Sequence, residues 1–194
     1  MWRCKLEASE TVEHLEKLES QTVFYTLAMM SYNPSIGRVL ERRGVNKFVH
    51  IAFEAFLEID NIQTRDEFDS WHERFVEKIR NQIKTASGKE VSYGQAQKPI
   101  NVFLKVYVDW ARLPKIDAST RLCPHLHVPL DKVMMTYTKL EFLPYYQKYN
   151  LIFARLAEIE KDSYNRWQKC FRELSPKKPL LMDVFWAKEH FNLR

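Results

Sequence analysis

The chain has 194 residues, 45% hydrophobic and 28% charged, with only 4 Gly and 8 Pro. That is enough apolar material for a real core, and too little Gly and Pro for a disordered chain, a collagen or a Gly-punctuated β-sandwich. The formal net charge of +5 is uneven: residues 1–97 carry 13 Lys/Arg against 15 Asp/Glu, whereas residues 98–194 carry 17 against 10. An anionic partner for the second half, nucleic acid foremost, accounts for the asymmetry as well as a basic surface with no dedicated ligand does.

The length suits one domain over residues 1–194. Three cysteines, Cys4, Cys123 and Cys170, make no disulfide framework and lack zinc-finger or iron–sulfur spacing, so a reducing, cytoplasmic compartment is expected. No apolar run approaches 18 residues and the N-terminal stretch lacks an apolar h-region, so neither a membrane span nor a secretory signal is expected.

The apolar spacing is helical nearly everywhere, which predicts an all-α chain. Val12, Leu15, Leu18, Val23, Tyr25, Leu27 and Met30 predict one long, partly buried helix, with Ser9 or Thr11 as N-cap and Asn33-Pro34 as its stop. A second helix is expected from Ser35 to Gly44. A third, Val45 to Ile59, is apolar on most sides and reads as central to the core. Thr64 and Glu67 form a capping-box pattern for a helix running to about Lys84. Residues 85–93 break the pattern, and a boundary between two helical lobes is expected near 85–97. A helix over 97–112 follows, then a loop with Pro114, Pro124 and Pro129, a short helix over 131–140, and a long one over 145–174. Pro176 and Pro179 end that helix, and a short terminal one holds Phe185, Trp186 and Phe191.

The chemistry concentrates in two segments. In Ser92-Tyr-Gly-Gln-Ala-Gln-Lys98-Pro-Ile-Asn101-Val-Phe-Leu104, Pro99 has no N–H to donate and marks a helix start, which puts Lys98 at a helix N-terminus. Gly94 is expected to let the preceding turn fold tightly. The positive end of a helix disfavours an ammonium by a few tenths to about 1 kcal/mol. Partial burial acts in the same direction, and both favour the neutral amine that a nucleophile needs. An exposed Lys98 donating to a carbonyl or phosphate fits the same residues. In His127-Val-Pro129-Leu-Asp131-Lys-Val-Met-Met135, Asp131 falls in the first turn of a helix or at its cap. Such a carboxylate is either a plain cap or a group held ionised and aimed into a cleft.

Together the segments resemble the signature of the helix-hairpin-helix DNA glycosylase superfamily. Gly94, Ala96, Lys98, Asn101 and Leu104 follow its Gly-x-Gly-x-Lys-x-x-Asn-x-x-Leu pattern, with Ala96 at the second Gly. Leu130-Asp131 and Val133 follow its Val-Asp segment. The likeness covers residues 92–135. The spacing from Lys98 to Asp131 is similar to that of divergent members such as the archaeal-type 8-oxoguanine glycosylase/AP lyases.

The resemblance implies a two-lobed all-α fold with a helix-hairpin-helix element and the active site in the cleft between lobes. It implies excision of a modified base through a lysine Schiff base, with Lys98 as nucleophile and Asp131 as its acidic partner, and no cofactor. It also implies damaged or modified duplex DNA as partner and a nucleoid-associated place in the cytoplasm. DNA contacts are then expected from Gly94, Gln95, Gln97, Lys105 and Lys132, with Arg112, Lys115 and Arg121 as further backbone candidates. Tyr93, His125 and His127 become candidates for the base pocket. Among the aromatic residues, Trp2, Tyr93, Tyr107, Trp110, Trp167 and Trp186 include candidates for stacking on a flipped base. Cys123-Pro-His125-Leu-His127 does not have a zinc spacing, and no metal is expected. A catalytically inactive DNA-binding module and an all-α protein-interaction subunit are the alternatives.

Overall fold

The computed structural model describes the backbone of residues 2–185 and the side chains of residues 13–185. The described residues form helices joined by turns and loops, with no strand and only two isolated bridges, Leu40 to Thr85 and Lys84 to Glu90. The helices are α1 (Trp2–Ile36), α2 (Gly44–Phe56), α3 (Arg65–Gln82), α4 (Tyr93–Leu104), α5 (Ile116–Leu122), α6 (Lys132–Glu141), α7 (Leu143–Lys148) and α8 (Lys161–Leu174).

The centre of the molecule is α4, which packs on α1, α3 and α8. Every residue of α4 except Val102 is buried. An aromatic cluster welds it to α1 and α2: Phe103 lies 5.1 Å from Phe24 and 4.8 Å from Phe56, ring centre to ring centre. Aromatic pairs of this kind add about 0.5–1.5 kcal/mol each beyond their burial. One hydrophobic core continues from Phe24 through Ile100 to Met182, across the 85–97 segment.

Helix ends follow local chemistry where a cap is present. Thr64 and Glu67 form the expected capping box for α3, and Asp131 caps α6 by accepting the Met134 N–H at 2.9 Å. Elsewhere tertiary contacts overrule local signals. The first helix buries Phe24, Ala28, Tyr32 and Ile36, and leaves Leu15, Leu18, Val23 and Met30 exposed. Ser9 and Thr11 lie within it rather than at its cap. Turns replace the helix expected over 35–44. The proline loop contains α5, tied down where Arg121 donates to the Ile62 and Asp60 carbonyls.

The helix expected over 145–174 is two helices. Asn150 turns into the left-handed region (φ 46°), and residues 151–160 cross the start of α4. There Ser92 Oγ donates to the Leu156 carbonyl at 2.7 Å, and the Gly94 N–H to the Ile159 carbonyl at 3.0 Å. Of the expected terminal helix, Trp186 and Phe191 lie outside the described residues, as do the side chains of Trp2 and Cys4.

Candidate active site

The start of α4 differs from the expectation. Ser92 is its N-cap, accepting the Gln95 N–H, and Gln95 closes a capping box by accepting the Ser92 N–H at 3.0 Å. Lys98 is therefore the sixth residue of the helix, beyond the reach of the end charge. Pro99 lies inside the helix. An interior proline costs about 3 kcal/mol, and the dense packing around α4 offsets it. Gly94 serves close approach rather than a turn. A Cβ there would stand 2.4 Å from the Leu156 carbonyl oxygen and 2.7 Å from Ile159 Cβ.

Adjacent residues of α4 point about 100° apart around the helix axis. On its inner face, Gln97 donates to the Leu130 carbonyl at 3.3 Å and accepts from Asn101 at 2.7 Å. Asn101 donates to Tyr164 Oη at 2.8 Å and accepts from His72 Nε2 at 2.7 Å. Gln168 holds both the N–H and the carbonyl of Val128. These amides clamp residues 128–130 along α4. Gln97 is fastened to Leu130, and the residues that follow each, Lys98 and Asp131, meet beside that contact at the cavity. Lys98 Nζ donates to Asp131 Oδ2 at 2.5 Å, across 33 residues of chain. Asp131 Oδ1 is fixed by the Met134 N–H, so the cap sets the orientation of the carboxylate and leaves Oδ2 to the amine.

The pair stands in the wall of an open cavity of about 390 Å³, lined also by Val102, Lys105, Trp110, Pro129 and Asp183. Pockets for small organic ligands begin at roughly 300 Å³. Only 10% of the Lys98 side chain and 16% of the Asp131 side chain are exposed. A second pair shares the cavity: Lys105 Nζ donates to Asp183 Oδ2 at 2.6 Å. Burial pushes the Asp183 carboxyl up, despite the ammonium groups of Lys105 and Lys98 nearby.

Other candidate residues are redistributed. Gln95 and Gln97 are buried and engaged within the protein, and Gly94 is packed under residues 156–159. None of the three presents a surface to DNA, because the expected hairpin loop is helix. Lys105 is buried on Asp183, whereas Lys132 is exposed at the start of α6. Arg121 is tied to internal carbonyls, and Lys115 stays exposed.

The three base-pocket candidates lie away from Lys98. Tyr93 and His127 border a separate depression of about 150 Å³ with Asp69 and Arg172, and the His125 carbonyl accepts from Arg172 at 3.0 Å. His127 Nδ1 accepts from Tyr164 Oη at 2.8 Å, and its Nε2 faces Asp69 at 2.9 Å. Burial pushes His127 down to about 4 and His72 well below the usual imidazole range. Burial acts to raise Asp69, but hydrogen bonds from Arg172 and His127 win and hold it well below the ordinary carboxylate range. Of the aromatic candidates whose side chains are described, Tyr93, Tyr107 and Trp167 are in the core. Trp110 is 64% exposed and borders the Lys98 cavity.

Asp183 escaped the reading of the sequence. Its one signal is an acidic residue in the otherwise apolar run Pro179–Phe185. Among the described residues no group of three or more His, Cys, Asp or Glu side chains is arranged to hold a metal ion. No described helix is long and apolar enough to cross a membrane. Compared with protein-family models, curated proteins and solved structures, the chain has no significant match.

Proposed function

We propose that the chain is a DNA glycosylase with AP lyase activity, working through Lys98 and Asp131. The observation that carries this reading is the 2.5 Å contact between those two side chains in the wall of an open cavity. The all-helical fold and the basic second half are compatible with it. In this reading the helices before and after α4 form the two lobes, and the cavity receives an extruded nucleotide.

Flipping a nucleotide from the duplex costs a few kcal/mol, less where the base is damaged or mismatched. Its entry displaces water. Removing water penalises an ammonium–carboxylate pair relative to an amine beside a carboxylic acid. A proton then moves from Lys98 Nζ to Asp131 Oδ2, and the freed lone pair attacks C1′ of the sugar. The glycosidic bond breaks with its electron pair leaving on the base, which takes up a proton. The amine loses a second proton and the sugar ring opens to an imine on Nζ. That imine acidifies the C2′ hydrogens, and loss of one expels the 3′ phosphate. Water hydrolyses the imine and returns Lys98. Asp131, once ionised again, faces the positive charge that develops on the sugar.

Borohydride reduces the imine to a stable amine, so trapping on a panel of damaged and abasic duplexes tests the reading. The wild type yields a covalent protein–DNA adduct that Lys98→Gln does not form, while both bind the duplex. A folded wild-type protein that binds DNA yet forms no adduct across the panel overturns the enzyme.

A further inference from the structure

The first helix runs out from the body of the molecule. Phe24 is the first buried residue of α1 among the described side chains, and residues 13–20 are exposed on every side. Trp2 to Val23 therefore extend for about 33 Å ahead of the core, at roughly 1.5 Å per residue. A helix with no packed face is marginal in water, because most helical stability in proteins comes from burying one. This helix carries a stripe to bury. Leu15, Leu18, Thr22, Tyr25 and Met29 alternate spacings of three and four residues, the seam of a coiled coil. Leu15 is 58% exposed, Leu18 43% and Met29 44%. The Thr22 hydroxyl already donates to the Leu18 carbonyl at 2.8 Å, so it needs no polar partner across the seam. Tyr25 stacks on Phe53 with 5.9 Å between ring centres, which fixes the direction in which the seam leaves the body.

The polar residues beside the seam match a second copy of the same chain. In a parallel pair each seam residue meets its own counterpart, and the flanking residues meet at an offset of about five positions. His14 of one copy then faces Glu19 of the other, and Gln21 faces Thr26. Glu13, Glu16 and Lys17 point away from the seam by more than about 100°, so the like charges of two copies stay apart. The seam is also clear of the cleft. Pro34 and Ser35, which line the Lys98 cavity from the end of the same helix, lie more than about 100° around it from Met29. We propose that the chain forms a parallel homodimer through α1, in which residues 15–29 pair as a two-stranded coiled coil and both cavities stay open. Such a pair is isologous, so it closes at two copies and does not grow further.

Sedimentation of the full chain over a range of concentrations tests the dimer. The wild type is expected to sediment at twice the chain mass and to dissociate on dilution. Leu15→Glu/Leu18→Glu sets carboxylates against each other in the seam and is expected to weaken association by more than about tenfold. Both leucines are exposed, so the body folds without them. A wild type that is monomeric at every concentration overturns the homodimer and leaves the stripe to a different partner. A dimer that the double variant holds as tightly as the wild type overturns the seam. Disulfide cross-linking in a Cys4→Ser background reads the orientation. Leu18→Cys and Met29→Cys are each expected to cross-link to themselves. Cross-linking only when the two variants are mixed marks an antiparallel pair and overturns the parallel arrangement. The dimer and the glycosylase stand or fall on separate measurements, because none of these experiments reads the chemistry at Lys98.

Discussion

The two faces of α4 carry polar side chains in opposite regimes. On the inner face, Gln97 and Asn101 are fully buried, and their amides bond to backbone carbonyls and to Tyr164 and His72. On the outer face, Lys98 and Lys105 are nearly buried too, but their carboxylate partners stand in the wall of a cavity open to solvent. A buried amide network satisfied by the protein itself specifies one packing arrangement. An ion pair beside open space keeps charge where a ligand can reach it. Burial alone therefore does not separate structural from functional polar groups. What separates them is whether the partners are all internal.

The largest expected effect falls on the outer face. Asp131→Asn keeps a good helix cap but leaves the nearly buried Lys98 without its carboxylate, so stability falls by up to about 3–5 kcal/mol. If the carboxylate handles the Lys98 proton, trapping and strand nicking fall by about 10²- to 10⁴-fold. Thermal unfolding together with trapping rates separates the two. A variant that unfolds easily but still traps would return Asp131 to a purely structural role.

Next is the inner face. Asn101→Leu strands the His72 and Gln97 groups that it now satisfies, and each orphaned buried group costs about 1–3 kcal/mol. A loss of about 3 kcal/mol in chemical denaturation is expected, with the Lys98–Asp131 register loosened as a consequence. Gly94→Ala puts a Cβ against backbone at residues 156–159 and is expected to cost about 1–3 kcal/mol. If Gly94 mattered only for a flexible turn, the cost would be a few tenths.

Per histidine and per pH unit, the smallest effect is the pH dependence of the inner network. His127 and His72 are neutral in the folded protein, with affinities for protons below those of the unfolded chain. As pH falls below about 6.5 the unfolded state binds protons first, so stability is lost on acidification. For His127 the loss continues down to about pH 4. Each such histidine contributes a slope of up to about 1.4 kcal/mol per pH unit. Melting temperatures between pH 7 and pH 5 should fall, and His127→Gln should flatten that fall by one histidine's share. A Tm that rises on acidification would contradict the burial of the pair.

Much of the plan was legible in the residues. Periodicity identified an all-helical chain, and Thr64 with Glu67 marked a helix start that forms as read. The same local reasoning misplaced the start of α4. Pro99 carries a strong local signal for a first turn, but Ser92 and Gln95 cap the helix seven residues earlier, and packing against α1, α3 and α8 tolerates the proline inside. The late helix was read too long because nothing local in residues 151–160 marks their job of covering the start of α4. Gly94, Gln95 and Gln97 resembled a loop that meets DNA because their residue types fit one. Gly94 meets Ile159 and Gln97 meets Leu130, each more than thirty residues away and beyond any local pattern, whereas Gln95 closes a capping box with Ser92 only three residues before it.

Residue order alone determined the helical class, the capping of α3 and α6, and the choice of Lys98 and Asp131 as the pair to watch. The first two depend on periodicity and on side chains near their own backbone, and the third on the likeness of residues 92–135 to a glycosylase signature. Only the tertiary structure decided that the amine and the acid meet, that Lys105 and Asp183 stand beside them, and that Tyr93 and His127 do not. Those outcomes depend on which face of α4 turns inward, and that is set by the amide clamp between Gln97 and Leu130 and by the packing of three other helices around it.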